Sequence, residues 1–191
     1  GKYLIEDEKI FELLNQNYVK FSLKTPLPLV FRGPRESIAP FYMDIDFRRT
    51  HNERIPDSVF IQIVHQFLLV LKQITKTNDV WKVVLTRRNQ AYWKEKQSCF
   101  CDGFHLLIPN LRVGADVMLK FRAKVLVETY WQSLYESYNV TNKPESIIDI
   151  AVTTRRNGLI LLGLNKPYEK SLQSPHYVMY FDTWRTDWFG D

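Results

Sequence analysis

The chain has little of several features that would assign it to a special class of protein. Only two of its 191 residues are cysteine, which is too few for a disulfide framework or for a zinc site with four cysteine ligands. Its longest apolar runs, at 67–71 and 159–162, fall far below the roughly 18 to 20 residues that span a bilayer. It contains no internal repeat, low-complexity block or Gly/Ser linker. We therefore expect neither a disulfide-rich nor a repeat protein, no membrane-spanning segment and no membrane partner.

The amino terminus also lacks the succession of basic, apolar and small residues that marks a secretory signal, and it starts with Gly1. Cys99 and Cys101 are separated by one residue, a spacing that rarely closes a disulfide. We expect an intracellular protein in a reducing compartment, excised from a longer chain. Cys99, Cys101 and His105 are three conceivable metal ligands, but we expect reduced thiols and no zinc.

Length, composition and charge favour one folded domain with a polyanionic partner. At 191 residues the chain is long enough for one well-packed unit, and we expect a single domain over 1–191. Hydrophobic residues make up 45% and charged residues 25%, which are ordinary globular values. The formal net charge is +5 and the sequence pI is about 9.1. This balance favours polyanionic partners, although a soluble protein that happens to be basic shows the same excess.

Hydrophobic periodicity divides the chain into helices and strands. The strand at 41–47 alternates apolar residues with acidic ones, and the helix at 57–75 has start signals in Pro56 and Asp57. The pair Asn157-Gly158 predicts a hairpin between the last two strands. The polar stretch 87–102 predicts a loop or hairpin. The full pattern gives helices at 7–19, 57–75 and 116–137 and strands at 41–47, 80–86, 104–108, 146–152 and 159–162. This is an α+β fold, with helices packed on a mostly antiparallel sheet.

The first chemically informative pair is Asp44 and Asp46. Both leave the same face of the predicted strand, with backbone positions roughly 6.5 to 7 Å apart. Carboxylates at that spacing suit Mg²⁺ or Mn²⁺, and such pairs recur where phosphoryl groups are transferred. The pattern is weak alone, because DxD also occurs in glycosyltransferases, on solvated strand faces and by chance.

Two further residues, His105 and Asp149, are unusual in a predicted strand. His105 follows Gly103, where the missing side chain lets a ligand or another backbone approach, although a lone strand histidine is more often a core residue. Asp149 lies within a run of β-branched residues, where a charge is costly unless it is paired or binds a metal.

Taken in order, these motifs resemble those of the archaeo-eukaryotic primase superfamily. The likeness is to the primase modules of primase-helicases from large DNA viruses and to the eukaryotic primase-polymerases. It spans Asp44 to Lys166, which is most of the chain. In that family the third acid is often followed by Val three positions later, an Arg-containing hairpin and a Lys seventeen positions later. Val152, Arg155 and Lys166 fall in this register here.

The resemblance implies a fold, an activity and a set of site residues. It implies a mostly antiparallel RRM-like catalytic sheet with packed helices and an N-terminal α/β lobe. Asp44, Asp46 and Asp149 would hold two ions of Mg²⁺ or Mn²⁺, and His105 and Lys166 would bind the phosphates of a nucleoside triphosphate. The activity would be primer synthesis on a single-stranded DNA template, with a helicase carboxy-terminal to the chain and, if the source is a virus, at its replication site in cytoplasm or nucleus.

Several departures leave the basic residues open. The family's small hydroxyl residue and the Lys near His105 are replaced by Gly103 and Cys101, and Ile160 and Asn165 replace an Arg and a Ser. Arginines near the motifs are therefore further candidates for the triphosphate: Arg87, Arg88, Arg155, Arg156, Arg32 and Arg35. Basic and aromatic side chains suited to the template are Arg48, Arg49, Arg54, Tyr92, Trp93, Lys94 and Lys96. Two other functions stay open, namely a degenerate primase-like module that binds DNA or a helicase, and a metal-dependent nuclease.

Overall fold

The computed structural model describes residues 38–77, 79–88, 90–127 and 130–157, together with the backbone of three short strands. The predicted helix at 7–19, the N-terminal lobe, and the candidates Arg32, Arg35 and Lys166 lie outside the described residues. In chain order the strands are β1 (Val30–Phe31), β2 (Ala39–Arg49), β3 (Lys82–Arg88), β4 (Tyr92–Lys94), β5 (Cys99–Val113), β6 (Leu159–Ile160) and β7 (His176–Asp182). The helices are α1 (Asp57–Thr75), α2 (Ala115–Leu126), α3 (Tyr130–Tyr138), α4 (Pro144–Ile147) and α5 (Ile150–Thr153).

The main sheet has the order β2-β5-β3-β7, and β4 pairs with β5 beyond the end of β3. All of its pairings are antiparallel. The β2–β5 register shifts between Pro40 and Phe41, whose partners are Arg112 and Ile108, so residues 109–111 bulge out of β5. This long strand therefore continues past the end at Pro109 that the sequence predicts. The fold class, α+β with an antiparallel sheet, is confirmed.

One face of the sheet packs against α1 and α2. The predicted helix at 57–75 is confirmed, and its apolar stripe buries Phe60, Ile63, Val64 and Phe67. Phe47 of β2 stacks on Phe60 with ring centroids 5.7 Å apart. Among the described residues, α1 is the one helix long and apolar enough to cross a membrane by length and composition. Its buried stripe is that of a core helix.

The chain after β5 differs from the pattern expectation. The predicted helix at 116–137 is divided into α2 and α3. The predicted strand at 146–152 is wrong. Pro144 starts the helical turn α4, and Asp149 caps α5 by accepting a hydrogen bond from the backbone N–H of Ala151. In that range, Ile148 alone makes a β-bridge, with Ile45.

The predicted hairpin between 146–152 and 159–162 does not form either, because its first arm is helical. β6 pairs instead with β1, in a separate two-stranded sheet. Local β propensity is strong in the run from Ile147 to Val152, but the proline and the capping aspartate favour helical turns.

Candidate active site

The face of the sheet opposite α1 carries Asp44 and Asp46. Along β2 the buried side chains of Met43, Ile45 and Phe47 alternate with these half-buried carboxylates. Asp44 lies directly across from His105 of β5, and Asp46 across from Gly103. The Nε2 atom of His105 is 3.5 Å from Oδ1 of Asp44. Two strands thus place an acid and an imidazole side by side.

Gly103 is required by the close approach of β2. A Cβ atom built at this position would lie 2.0 Å from the carbonyl oxygen of Ile45. The expectation that another backbone approaches here is therefore confirmed.

Asp149 reaches the same edge of the sheet by a different route. The bridge between Ile45 and Ile148 is antiparallel, so Asp149 faces Asp44, and its backbone N–H donates to the Asp44 carbonyl at 3.2 Å. One carboxylate oxygen of Asp149 accepts the Ala151 N–H at 2.7 Å. The segment is held in place by Arg122 of α2, which donates to the carbonyls of Ile148 and Glu145.

The three carboxylates are brought to one edge of the sheet, but they do not form one closed ligand group. Over the described ranges, the structure contains no cluster of three or more His, Cys, Asp or Glu side chains that could hold a metal ion. The donor chemistry still fits a hard divalent cation, because Asp44, Asp46 and Asp149 offer only carboxylate oxygens. Asp149 shares one of its oxygens with the α5 cap.

Arg87 is placed in the core and not at this face. Its guanidinium donates to both carboxylate oxygens of Asp102, at 2.8 and 2.9 Å, and to the carbonyl of Ile55 at 3.0 Å. It also contacts Asp57 and lies 4.0 Å over the Phe60 ring. The residue is 1% exposed. It anchors the start of α1, and this placement speaks against the phosphate contact expected for it.

Two more arginine candidates are buried. Arg155 has a positive φ of 57° in the turn after α5, is fully buried, and donates to the Val113 carbonyl at 2.6 Å. Arg49 is 3% exposed and donates to the Tyr138 carbonyl at 2.7 Å and to the Glu53 carbonyl. Both side chains hold loops onto the sheet, which disfavours the nucleotide role expected for Arg155 and the DNA role expected for Arg49.

Arg88 and Lys94 lie on the face of the carboxylates. Thr86 pairs with His105, so Arg88, two residues later on β3, shares the face of His105. Its guanidinium lies 4.0 Å over the ring of Tyr92, which pairs with Cys101. Lys94 pairs with Cys99 and is on the same face. Arg48, across from Cys101, is half-buried there as well.

Trp93 belongs to the opposite face of the same hairpin. It is 50% exposed and packs edge-on against Phe100, with ring centroids 5.0 Å apart. Lys96 is exposed in the short 3₁₀ turn Glu95–Gln97 at the tip. The predicted template residues are therefore split between two faces of one hairpin.

Cys99 and Cys101 lie on the sheet face that carries Asp46. Both are buried free thiols. Burial, together with the nearby Asp46 carboxylate and Cys99, raises the pKa of Cys101 to about 12, and the ammonium of Lys94 opposes this shift. Cys101 therefore remains a neutral thiol at physiological pH.

Sequence reasoning missed Asn142, which completes the outer edge of β2. Its side chain accepts a hydrogen bond from the Arg48 backbone N–H and donates one to the Asp46 carbonyl, each at 2.8 Å. No local pattern marks this residue, because both partners lie more than 90 positions away in sequence.

A known protein family matches most of the chain. No curated protein matches the chain. The family model described as the C962R protein N-terminal AEP domain, where AEP denotes archaeo-eukaryotic primase, matches residues 1–179. That span includes both strands of the carboxylate–histidine pair and Asp149. The chain therefore belongs to this family, within the primase superfamily that includes the primase-helicases of large DNA viruses.

Proposed function

We propose that the chain is a template-dependent nucleotidyltransferase that makes short primers on single-stranded DNA. Membership of the primase superfamily supports nucleotidyl transfer in general. The observation that carries the finer proposal is the alignment of Asp44 with His105 across β2 and β5, with Asp149 on the other side of Asp44.

The sheet face beside this alignment carries acidic and basic side chains on different strands, which suits a metal-bound triphosphate. Asp44 and Asp46 form its acidic side on β2, and Gly103 on β5 lies next to them. Arg87 pairs with Phe104, so Arg88 follows beside Gly103 and supplies the basic side. The strands that carry the acidic and basic sides, β2 and β3, are about 10 Å apart, since each strand spacing is about 4.8 Å.

In this proposal the described side chains have separate roles. Asp44, Asp46 and Asp149 would hold two divalent ions, Mg²⁺ or Mn²⁺, which when bound supply charge neutralisation of the triphosphate and activation of a 3′-hydroxyl. His105 donates a hydrogen bond to a phosphate oxygen, and Arg88 contacts the outer phosphates. The 3′-oxygen forms a bond to the α-phosphorus while the bond to the leaving pyrophosphate breaks. Lys166 stays a candidate for the same phosphates.

The hairpin of β4 and β5 is the proposed template surface. Trp93 offers an exposed ring on which a base can stack, and Lys94, Lys96 and Arg48 offer charge for the backbone phosphates. The family description places its domain at the N-terminus of the C962R protein. A helicase on the carboxy-terminal side is accordingly part of the proposal, as is a reducing intracellular site of action.

A primer-synthesis assay tests the proposal directly. The chain is incubated with single-stranded homopolymers, each nucleotide class, and Mg²⁺ or Mn²⁺, and products are resolved by length. We expect template-dependent primers, and we expect Asp44→Asn and Asp46→Asn to abolish incorporation with little change in the thermal midpoint, since one of two neighbouring acids on β2 is neutralised. Full activity in either variant would contradict the roles given to these carboxylates.

The same assay separates the two alternatives. A nuclease shortens a labelled template when no nucleoside triphosphate is present. A degenerate binding module retains DNA binding but gives no product with any nucleotide or ion.

A further inference from the structure

Asn142 takes the place of a neighbouring strand along the outer edge of β2. Its side-chain amide spans the Asp46 carbonyl and the Arg48 N–H, and the residue is 5% exposed. β2 is the terminal strand of the main sheet, so these backbone groups would otherwise face water. The amide is a rigid plane with one donor side and one acceptor side, which fixes the spacing of the two backbone groups that it joins.

Asn142 and the residue before it are themselves held by hydrogen bonds. The hydroxyl of Tyr135 on α3 donates to the Asn142 carbonyl at 2.7 Å. Burial, with Glu145 nearby, raises the pKa of Tyr135, so its hydroxyl remains a donor well above neutral pH. The preceding Thr141 donates from its backbone N–H to the Arg48 carbonyl at 2.8 Å. The edge of β2 at Asp46 is thus attached to α3 through a short series of hydrogen bonds.

The molecule contains the same arrangement a second time, away from the carboxylates. The side chain of Asn110 accepts from the Lys82 N–H at 2.9 Å and donates to the Val80 carbonyl at 2.8 Å. It therefore also joins the carbonyl of one residue to the N–H of the residue two positions later. Lys82 is the first residue of β3, at the opposite end from Arg88. Asn110 is exposed, and it serves as a control for the loss of this pair of hydrogen bonds away from the carboxylates.

We propose that Asn142 is a positioning residue that fixes the Asp46 carboxylate in the orientation needed to bind a divalent ion. This inference rests on the proposed function, in which Asp46 is an ion ligand. The amide holds the carbonyl of Asp46 itself, so loss of the contact frees the backbone that carries the carboxylate. Groups that hold metal ligands in place typically change metal affinity or activity by about 10- to 100-fold when they are removed.

The test compares Asn142→Ala with Asn110→Ala. Binding of Mn²⁺ is followed by electron paramagnetic resonance with nucleoside triphosphate present, and primer synthesis is measured across a range of Mn²⁺ concentrations. We expect Asn142→Ala to weaken Mn²⁺ binding and to raise the ion concentration for half-maximal synthesis, each by about 10-fold. We expect Asn110→Ala to leave both at the wild-type value, although it also loses two hydrogen bonds.

Further variants keep the test decisive if Asn142→Ala does not fold. Asn142→Asp keeps an acceptor for Arg48 but loses the donor to Asp46, so wild-type ion dependence in this variant would overturn the proposal. Tyr135→Phe removes only the hydrogen bond to the Asn142 carbonyl. We expect it to weaken Mn²⁺ binding in the same direction but by a smaller factor. Equal effects of Asn142→Ala and Asn110→Ala would also overturn it.

Failure of the underlying function gives a different result. If the wild-type chain binds Mn²⁺ but makes no primers, the primer-synthesis proposal is wrong. The role of Asn142 is then tested by the Mn²⁺ affinities of Asn142→Ala and Asn110→Ala alone. If the wild-type chain binds no Mn²⁺ with nucleotide present, both proposals are wrong.

Discussion

The Nε2 atom of His105 lies 3.5 Å from Oδ1 of Asp44, across a directly opposed pair of β-strand residues. At this distance the imidazole and the carboxylate are within ion-pair range of each other. We expect an N–H of the imidazole to donate to a phosphate oxygen that binds beside Asp44.

We expect His105→Ala to raise the apparent Michaelis constant for nucleotide about 10-fold or more, because a hydrogen bond to a charged group is worth roughly 1.5 to 3 kcal/mol. His105→Gln should recover part of the loss, since its amide can donate. Single-stranded DNA binding should not change. His65, exposed on α1, supplies the control variant His65→Ala. Loss of nucleotide and DNA binding together would indicate a core histidine.

The neighbours Arg87 and Arg88 should respond in opposite ways. Arg87→Ala leaves the buried Asp102 carboxylate without its bidentate partner, so we expect the free energy of unfolding to fall by about 3 to 5 kcal/mol. Arg88→Ala loses an arginine–tyrosine contact worth about 0.5 to 1 kcal/mol. Its main effect should be on nucleotide use, with an efficiency loss of about 10- to 150-fold. Urea unfolding and steady-state kinetics on both variants measure this. Unchanged nucleotide kinetics in Arg88→Ala would remove Arg88 from the site.

Charge and stacking at the hairpin should affect DNA binding in separable ways. With about four to six phosphate contacts, the logarithm of the single-stranded DNA affinity should fall with the logarithm of salt concentration with a slope of roughly −3 to −4. Lys94→Ala and Lys96→Ala should each reduce that slope by about 0.7. Trp93→Ala should lower the affinity about 5- to 150-fold and leave the slope unchanged.

A fluorescence anisotropy titration at several salt concentrations checks both effects. Leu69→Ala, at an exposed position of α1, is the control. An affinity that does not depend on salt would contradict the basic surface, and a normal affinity in Trp93→Ala would contradict the stacking site.

The buried thiol of Cys101 should make the protein less stable at alkaline pH. An unfolded cysteine ionises near pH 8.5, whereas Cys101 in the folded chain ionises near 12. Between these values the unfolded state binds fewer protons, so the free energy of unfolding falls as pH rises, by up to about 1.4 kcal/mol per pH unit. Urea unfolding at pH 8, 9 and 10 should show a shallower decline for Cys101→Ala. Parallel declines in the two proteins would contradict the shift.

The elements that the sequence predicts well are those whose pattern is set by one buried face. The helix at 57–75 and the strand around Asp44 and Asp46 have long, regular apolar periods, and tertiary contacts reinforce them. The strand predicted at 146–152 is wrong because β-branched residues favour strands only where a partner strand is available. Of residues 146–152, Ile148 alone forms a β-bridge with the outer edge of β2, and the side chain of Asp149 caps the helical turn that follows.

The site was predictable to a similar extent. His105 and Gly103 depend on a strand pattern and a local spacing, and both lie where that pattern places them. The sequence could not predict that Arg87 lies on the core face of the sheet. Which face it takes depends on the register between β3 and β5, and its partner Asp102 lies under α1. Charge alone does not distinguish a surface arginine from one that closes a buried ion pair.

The distance in sequence between β2 and its outer partners has a consequence for how the protein is made. The side chain of Asn142 bonds residues that precede it by 94 and 96 positions. While the chain emerges from the ribosome, the strand that carries Asp44 and Asp46 is complete long before residues 141–149 arrive to cover its outer edge. Contacts between such distant residues form late in folding, and an uncovered strand edge can pair with another chain in the meantime. A lower expression level, which lowers the concentration of incomplete chains, should therefore favour the folded protein over aggregates.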